Sequence, residues 1–485
     1  MTEDTLNTAS DLFDIIAKIF LKINLLTKTT KENIYRRYWS SIMDVDKVVE
    51  EKFQFFDKRE KNIVYNSLTP SDLLILSLYI DESDPYDCFL ILIYLDTHMD
   101  FKKSMKRFLD KSATIQKGIF IFKSLNKNGA GILLPRFASK WAKKNNITRA
   151  TCNAKPFSLI KNFLWCMDCG NIEVDHIYVD MNPLAKADIV DTDEEEHSPF
   201  RIVCSPLVDE QPFKYALENV DGTNKFFVQD YPRETQNVVI KRISETIQYA
   251  REVNASIVFF PEMMVSPDNR AQIVETIKDG WEYTFPKIIF LPSSEYKKED
   301  NWKNEVVAVN DTADVIYAYN KQRAYQHNIV NAEGEVQEVY FEPIYPDNKF
   351  TVLHVNQIGR IGILICADIF DDEIKANFIG KYDLDIVLII SYTGGWDLFD
   401  RCLTGMNDTL SEVIVCNSCA AIKKGQNDNV YPVAYYPFGH RYRDGNFKKK
   451  CNNNCTGCAF CIEIKDNYNE NDSDPIIQKK FIEGG

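Results

Sequence analysis

The chain has no apolar run long enough to cross a bilayer. Its longest, residues 88–95, spans eight residues where about twenty are needed. The first ten residues hold Glu3 and Asp4 and no Lys or Arg, so no secretory leader and no membrane partner are expected. No internal repeat and no long low-complexity segment is present, which excludes solenoid and linker-dominated architectures. A disulfide scaffold is also missing: the thirteen cysteines are an odd count in a long chain. They point to a reducing compartment, with a cytoplasmic location expected, where thiols serve chemistry, metal binding or packing.

The 485 residues suffice for two or three domains, and an apolar fraction of 45% with 26% charged residues is ordinary for a soluble globular protein. The net charge of −14 hides an asymmetry. Residues 1–150 carry 24 Lys/Arg against 19 Asp/Glu, so the acidic excess belongs to the remainder. Residues 101–149 hold thirteen basic side chains against the single acid Asp110. Lys102, Lys103, Lys106 and Arg107 fall on neighbouring helical turns, with Phe101, Met105 and Phe108 opposite. Such a face suits a nucleic acid or an acidic protein partner; alternatively it is a solvated helix surface balancing the acidic remainder.

Residues 1–150 read as a mainly helical domain. Leu12, Phe13, Ile16, Ile19, Phe20 and Ile23 recur at spacings of three and four, and Asp72 after Thr69-Pro70-Ser71 marks a helix start. Residues 151–199 form a linker or small Cys-containing segment that ends in the acidic run 191–196. From about residue 200 the pattern changes. Strand-like runs at 201–204, 256–260, 287–291, 306–309, 315–319, 361–365, 385–390 and 413–416 alternate with helical stretches at 235–254 and 398–412. Prolines 261 and 292 are expected to stop the second and third runs, and 310–314 to turn a hairpin. This is an α/β or layered mixed fold to about 465, followed by a tail, 466–485.

Three reactive side chains occupy equivalent places. Glu262 lies two residues after the run 256–260, Lys321 two after 315–319, and Cys366 directly after 361–365. Strand ends gather catalytic groups because the sheet fixes their position while loops admit substrate. A cysteine needs a nearby base or cation to become a nucleophile, and this set offers both.

Phe259-Phe260-Pro261-Glu262 resembles the motif that carries the catalytic glutamate of the nitrilase, or carbon–nitrogen hydrolase, superfamily. Tyr319-Asn320-Lys321 resembles the end of that family's hairpin to its lysine, and Gly359-Arg360-Ile361-Gly362-Ile363-Leu364-Ile365-Cys366-Ala367-Asp368 its nucleophile motif. Residues 383–391, Arg401, Val415-Cys416-Asn417, Phe438-Gly439-His440 and Asp444-Gly445 are similar to later family elements, so the resemblance spans roughly 201–464.

The resemblance implies a four-layer α-β-β-α sandwich that usually pairs into dimers. It also implies a reaction without a catalytic cofactor. Cys366 would attack, Glu262 would act as general base, and Lys321 with the backbone N–H of Ala367 would stabilise the oxyanion. A second glutamate fits best at Glu342, with Glu333, Glu335 and Glu338 as alternatives. Tyr392 and Trp396 would line the acyl pocket or serve packing. Amides are commoner substrates than nitriles in the family.

Cys451, Cys455, Cys458 and Cys461 depart from that pattern. Their spacing suits four-cysteine ligation of a structural zinc or an iron–sulfur cluster, and Cys166-x-x-Cys169 resembles half of a zinc ribbon. The alternative is that Cys458 and Cys461 are core thiols on a strand, 459–464. A competing function is a partner- or nucleic-acid-binding module carrying the nitrilase-like domain as effector or scaffold, as occurs in bacterial defence systems beside reverse transcriptases. This chain has no Tyr-x-Asp-Asp motif and would be at most a companion of such a polymerase.

Overall fold

In this computed structural model the described residues are 12–24, 27–40, 44–57, 63, 67–99, 114–116, 119–124, 131–135, 164–168, 173–179 and 200–481. Within the last range 279–285, 298–300, 311–312, 332, 356–358, 381, 383, 407–410, 425–429, 438–446, 451–456 and 465–473 are left aside. The helix expected at 102–108, the acidic run 191–196 and the late turn 438–445 therefore lie outside the described residues. The chain is mixed α/β with several sheets. Contact density divides it into two compact units, Met1–Glu195 with Leu353–Gly359, and Glu196–Val352 with Arg360–Gly485.

In the first unit, helices Leu12–Asn24, Lys28–Ser40, Val45–Lys52, Gln54–Asp57, Pro70–Glu82 and Pro85–His98 follow one another. Local chemistry sets their starts. The Thr69 side chain accepts from the Asp72 N–H, the Asp72 carboxylate accepts from the Thr69 N–H, and Pro70 fills the first helical position. Pro85–His98 is buried over most of its surface, which explains the apolar run 88–95: it is the central helix of a bundle. Among the described residues no helix is long and apolar enough to cross a membrane.

Beyond Met99, the described residues of 1–150 are strands where mainly helix was expected. Ile119–Ser124 pairs with Thr114–Gln116 on one side and with Glu173–Val179 on the other, and Gly131–Pro135 pairs with Leu164–Asp168. The alternating β-branched and aromatic residues Ile119, Phe120, Ile121 and Phe122 account for the change, since such side chains favour the pleated surface.

The second unit is built on a seven-stranded sheet ordered Val315–Asn320, Asn301–Asn310, Ile288–Lys297, Ile257–Phe259, Phe200–Cys204, Cys458–Ile464 and Ile476–Lys480. Helices Arg233–Glu252 and Pro267–Lys278 pack on it, burying Val239, Ile243, Ile247, Ile273 and Ile277 with Val258, Ile289 and Leu291. Further strands run in the order Gly359–Ile365, Ile386–Ser391, Glu412–Asn417, Val433–Tyr436 and Phe447–Lys449. The first three pair in parallel and are buried along their whole length. A four-stranded antiparallel and parallel sheet joins Gln326–Val330, Val336–Phe341, Thr223–Asp230 and Lys214–Val220.

Two boundaries differ from the sequence expectation. Pro292 does not end its strand, which continues to Lys297. The parallel neighbour reaches only to Phe290, so beyond it the proline's missing N–H breaks no ladder bond on that side. The region 466–485 is not merely a tail: Ile476–Lys480 pairs antiparallel with Cys458–Ile464 and closes the sheet edge.

Candidate active site

Glu262, Lys321 and Cys366 converge, as do Glu342 and a fifth residue, Asn304. Each of the three motif residues follows a strand, and the strand ends meet. Glu262 lies just past Ile257–Phe259, Lys321 past Val315–Asn320, and Cys366 past Gly359–Ile365. The backbone is forced at two of these corners. Cys366 itself has φ +45°, and Met263, directly after Glu262, has φ +61°. A non-glycine residue in this region stores strain that the surrounding structure must hold in place. Within the nucleophile strand, Gly362 allows a close approach: a Cβ there would lie 2.4 Å from the Leu384 Cδ1.

The Lys321 Nζ lies 2.6 Å from Glu262 Oε1 and 2.7 Å from Glu342 Oε2. Asn304 Nδ2 donates to the same two carboxylates, at 2.7 Å to each Oε1. Both of its N–H bonds are thereby used, which fixes the orientation of the amide. Glu342 is further held by the Tyr325 backbone N–H at 2.8 Å, and Glu262 by the Tyr392 backbone N–H at 3.1 Å. Glu262 and Lys321 are each 1% exposed and Cys366 4%. Glu262 and the Tyr392 backbone N–H both lie close enough to the Cys366 sulfur to act on its proton affinity. Glu333, Glu335 and Glu338 lie exposed on the hairpin, so Glu342 is the glutamate that meets the lysine.

The electrostatics follow from burial. It pushes the Cys366 thiol well above the usual thiol range, the Glu262 charge adds to this, and Lys321 opposes it. The resting sulfur is therefore a neutral thiol, with Glu262 beside it to take its proton. Burial also raises Glu262 above the ordinary carboxylate value, against the pull of Lys321 and with the help of Glu342. A carboxylate so raised is a stronger base for the thiol proton. Burial alone would lower Lys321, but Glu262 and Glu342 outweigh it and hold its ammonium well above 10.5.

Asp368 ties two of the corners together. Its Oδ1 accepts from the backbone N–H groups of Gln322 and Arg323 at 2.9 and 2.8 Å, next to Lys321. Its Oδ2 accepts from the Ile365 N–H at 3.0 Å and the Tyr319 hydroxyl at 2.9 Å. Burial raises it to about 6 despite these donors. Being raised above 3.8, it contributes stability that is complete below 3.8 and lost as pH rises through 6. Protonation nonetheless removes an acceptor from the Lys321 turn. Asp368→Asn is therefore expected to lower kcat by about tenfold, because one carboxamide oxygen cannot serve four donors. The wild-type rate should fall below pH about 6 with an inflection that the variant lacks. A pH–rate profile and urea unfolding across pH 4–8 check this, and an unchanged kcat would discount the bracing role.

Ala367 is the second residue of the short 3-10 turn Cys366–Phe370, whose first amide groups have no partner within the turn. Tyr392 stands over the site through its backbone, and its ring packs on Phe213 at 5.1 Å. Trp396 is buried against Phe399 and Tyr431, at 5.5 and 5.6 Å between ring centroids, in a packing position. Asn417 holds the Tyr392–Thr393 corner by accepting from the Thr393 N–H and donating to its carbonyl, both at 2.9 Å.

The late cysteines present a different picture. Cys451 and Cys455 lie outside the described residues, as does Cys169, while Cys166 sits on the strand Leu164–Asp168. Cys458 and Cys461 are both buried on Cys458–Ile464, where a separation of three directs them to opposite faces. Cys461 belongs to the helix-covered core, and Cys458 lies with Cys204 near Cys416. Among the described residues no group of three or more His, Cys, Asp or Glu is placed to hold a metal ion.

No family model matches the sequence, and no curated protein matches it. Several solved structures share part of its shape. An amidase from Nesterenkonia sp. is 11% identical, with 56% of this chain and 92% of that one covered at a TM-score of 0.34. A glutamine-dependent NAD+ synthetase from Acinetobacter baumannii is 10% identical, with 46% of this chain and 39% of that one covered at 0.33. The C. elegans NitFhit protein is 14% identical, with 45% and 51% covered at 0.31. This chain thus spans less than two thirds of the length of the last two. Likenesses this loose carry no argument, and the chemistry rests on the residues described above.

Proposed function

We propose that the protein is a thiol hydrolase of the nitrilase type, cleaving a non-peptide carbon–nitrogen bond in an amide in preference to a nitrile. The observation that supports it most is the buried Glu262–Lys321–Glu342 cluster, closed at 2.6–2.7 Å, with the buried Cys366 thiol beside Glu262 and Lys321. Cys366 Sγ bonds to the carbonyl carbon while its proton passes to Glu262. Lys321 and the Ala367 N–H hold the developing oxyanion. The C–N bond then breaks, and the departing nitrogen takes the proton from Glu262. Water next attacks the thioester, again giving a proton to Glu262. The C–S bond breaks, the carboxylic acid leaves, and the proton returns to Sγ. Glu342 and Asn304 hold Lys321 and Glu262 in register throughout.

Intact mass spectrometry after incubation with amide and nitrile panels tests this. The expected result is an acyl adduct, the amide minus its amine, on Cys366. An adduct confined to another thiol, such as the partly exposed Cys402, or no adduct and no product with any panel member, would refute it.

A further inference from the structure

The reacting groups are almost wholly buried, so a substrate must reach them past side chains that are themselves open to solvent. Tyr325 is one: it is 38% exposed. Its hydroxyl nevertheless lies within electrostatic reach of Cys366, Lys321, Glu262 and Glu342, which places it at the threshold of the site. Tyr215 is another, 40% exposed, and its hydroxyl lies within electrostatic reach of Tyr392, whose backbone N–H donates to Glu262 at 3.1 Å. Between these two rings lie Phe226 and His327. Phe226 is 5.2 Å from Tyr215 and 6.2 Å from Tyr325, and it stacks on His327 at 5.4 Å with an interplanar angle of 18°. Burial lowers the imidazole of His327, keeping it neutral.

The four-stranded sheet explains how the rings come together. Phe341 pairs with Lys225, so the next residues along, Glu342 and Phe226, are neighbours on the opposite face from that pair. Tyr215 joins Phe226 across the hairpin Lys214–Val220/Thr223–Asp230, and His327 joins from Gln326–Val330. One end of this aromatic face is therefore the glutamate that holds Lys321.

We propose that Tyr215, Phe226, Tyr325, His327 and Tyr392 form a cup that receives a flat, uncharged aromatic group of the substrate, so that the preferred substrate is an aryl-bearing amide. This rests on the hydrolase reading for its reaction, though not for its binding. Offset and edge-on ring contacts favour a planar π-system over a short aliphatic chain. The charges that reach the threshold argue against an anionic substrate: two carboxylates already face Lys321, and its remaining N–H is the one assigned to the oxyanion, so a substrate carboxylate would be repelled more than held there.

The test uses the full chain carrying Cys366→Ala, which cannot form the thioester, and saturation-transfer NMR with phenylacetamide, propionamide and 4-carboxyphenylacetamide. The expected result is saturation of the phenylacetamide ring protons and little of either other probe. Tyr215→Ala or Tyr325→Leu in that background should weaken the ring signal at least about fivefold. In the protein with Cys366 intact, kcat/KM should favour phenylacetamide over propionamide by roughly tenfold, and Tyr215→Ala should erode that ratio. Absent ring saturation, or saturation unmoved by both substitutions, overturns the cup whether or not amides are hydrolysed. Ring saturation without any hydrolysis sustains the cup and overturns the reaction.

Discussion

Replacing Cys366 with alanine is expected to lower turnover of any amide the protein hydrolyses by roughly 10⁴-fold or more. The fold should lose no more than about 1 kcal/mol. Only Sγ is removed, from a side chain 4% exposed, and Glu262 and Lys321 keep their mutual contacts. Serine should not rescue the rate. A hydroxyl can donate to Glu262, but it is a much weaker acid than a thiol and so a poorer source of nucleophile under the same base. Glycine separates the two roles of the position. Because Cys366 has φ +45°, Cys366→Gly should relieve backbone strain and offset part of the lost packing while remaining as inactive as alanine. Steady-state rates with urea unfolding of the three variants check these outcomes. Full turnover by Cys366→Ala would remove the residue from the chemistry.

The elements that carry Glu262, Lys321 and Cys366 are legible in the sequence because each is a β-branched or aromatic run ending at the reactive residue. The strands Ile257–Phe259, Val315–Asn320 and Gly359–Ile365 depart from the expected runs by one or two residues. Asn304 and Asp368 are harder to see. Asp368 stands inside the nucleophile motif and Asn304 just ahead of the run 306–309, yet their work depends on tertiary register: Asn304 accepts the Lys321 N–H through its backbone carbonyl while its side chain bridges two glutamates from other loops. A polar residue at the head of the buried run Val306–Val309 was the available signal, since a strand seldom buries an amide without partners. The aromatic rings around Phe226 carry no spacing signal at all, because they come from two hairpins about a hundred residues apart. At Cys458 and Cys461 spacing and strand register point different ways. Spacing groups Cys458 with Cys461, and strand alternation separates them.

Lys321→Met should be the most destabilising single change in the site, at about 3–5 kcal/mol, because it removes one partner of a buried ionic cluster and leaves the others in place. Glu262 and Glu342 are 1% and 2% exposed, and without the ammonium only Asn304 would bridge them. The sign of the pH effect follows. In the intact protein Lys321 is raised above 10.5, so its contribution is complete below that value and unchanged from pH 5 to 8. In the variant Glu262 loses the cation that opposed its burial and still faces Glu342, so its proton affinity rises further and stability should climb as pH falls from 8 to 5. Adding Glu342→Gln should recover much of the lost stability by removing one unpaired charge. It should not recover turnover, since the oxyanion still lacks its cation, a loss of roughly 10²–10³-fold. Chemical denaturation at pH 5, 6.5 and 8, run beside single-turnover assays, separates the two effects. A Lys321→Met protein as stable as the parent at pH 8 would mean that the cluster is not held by charge.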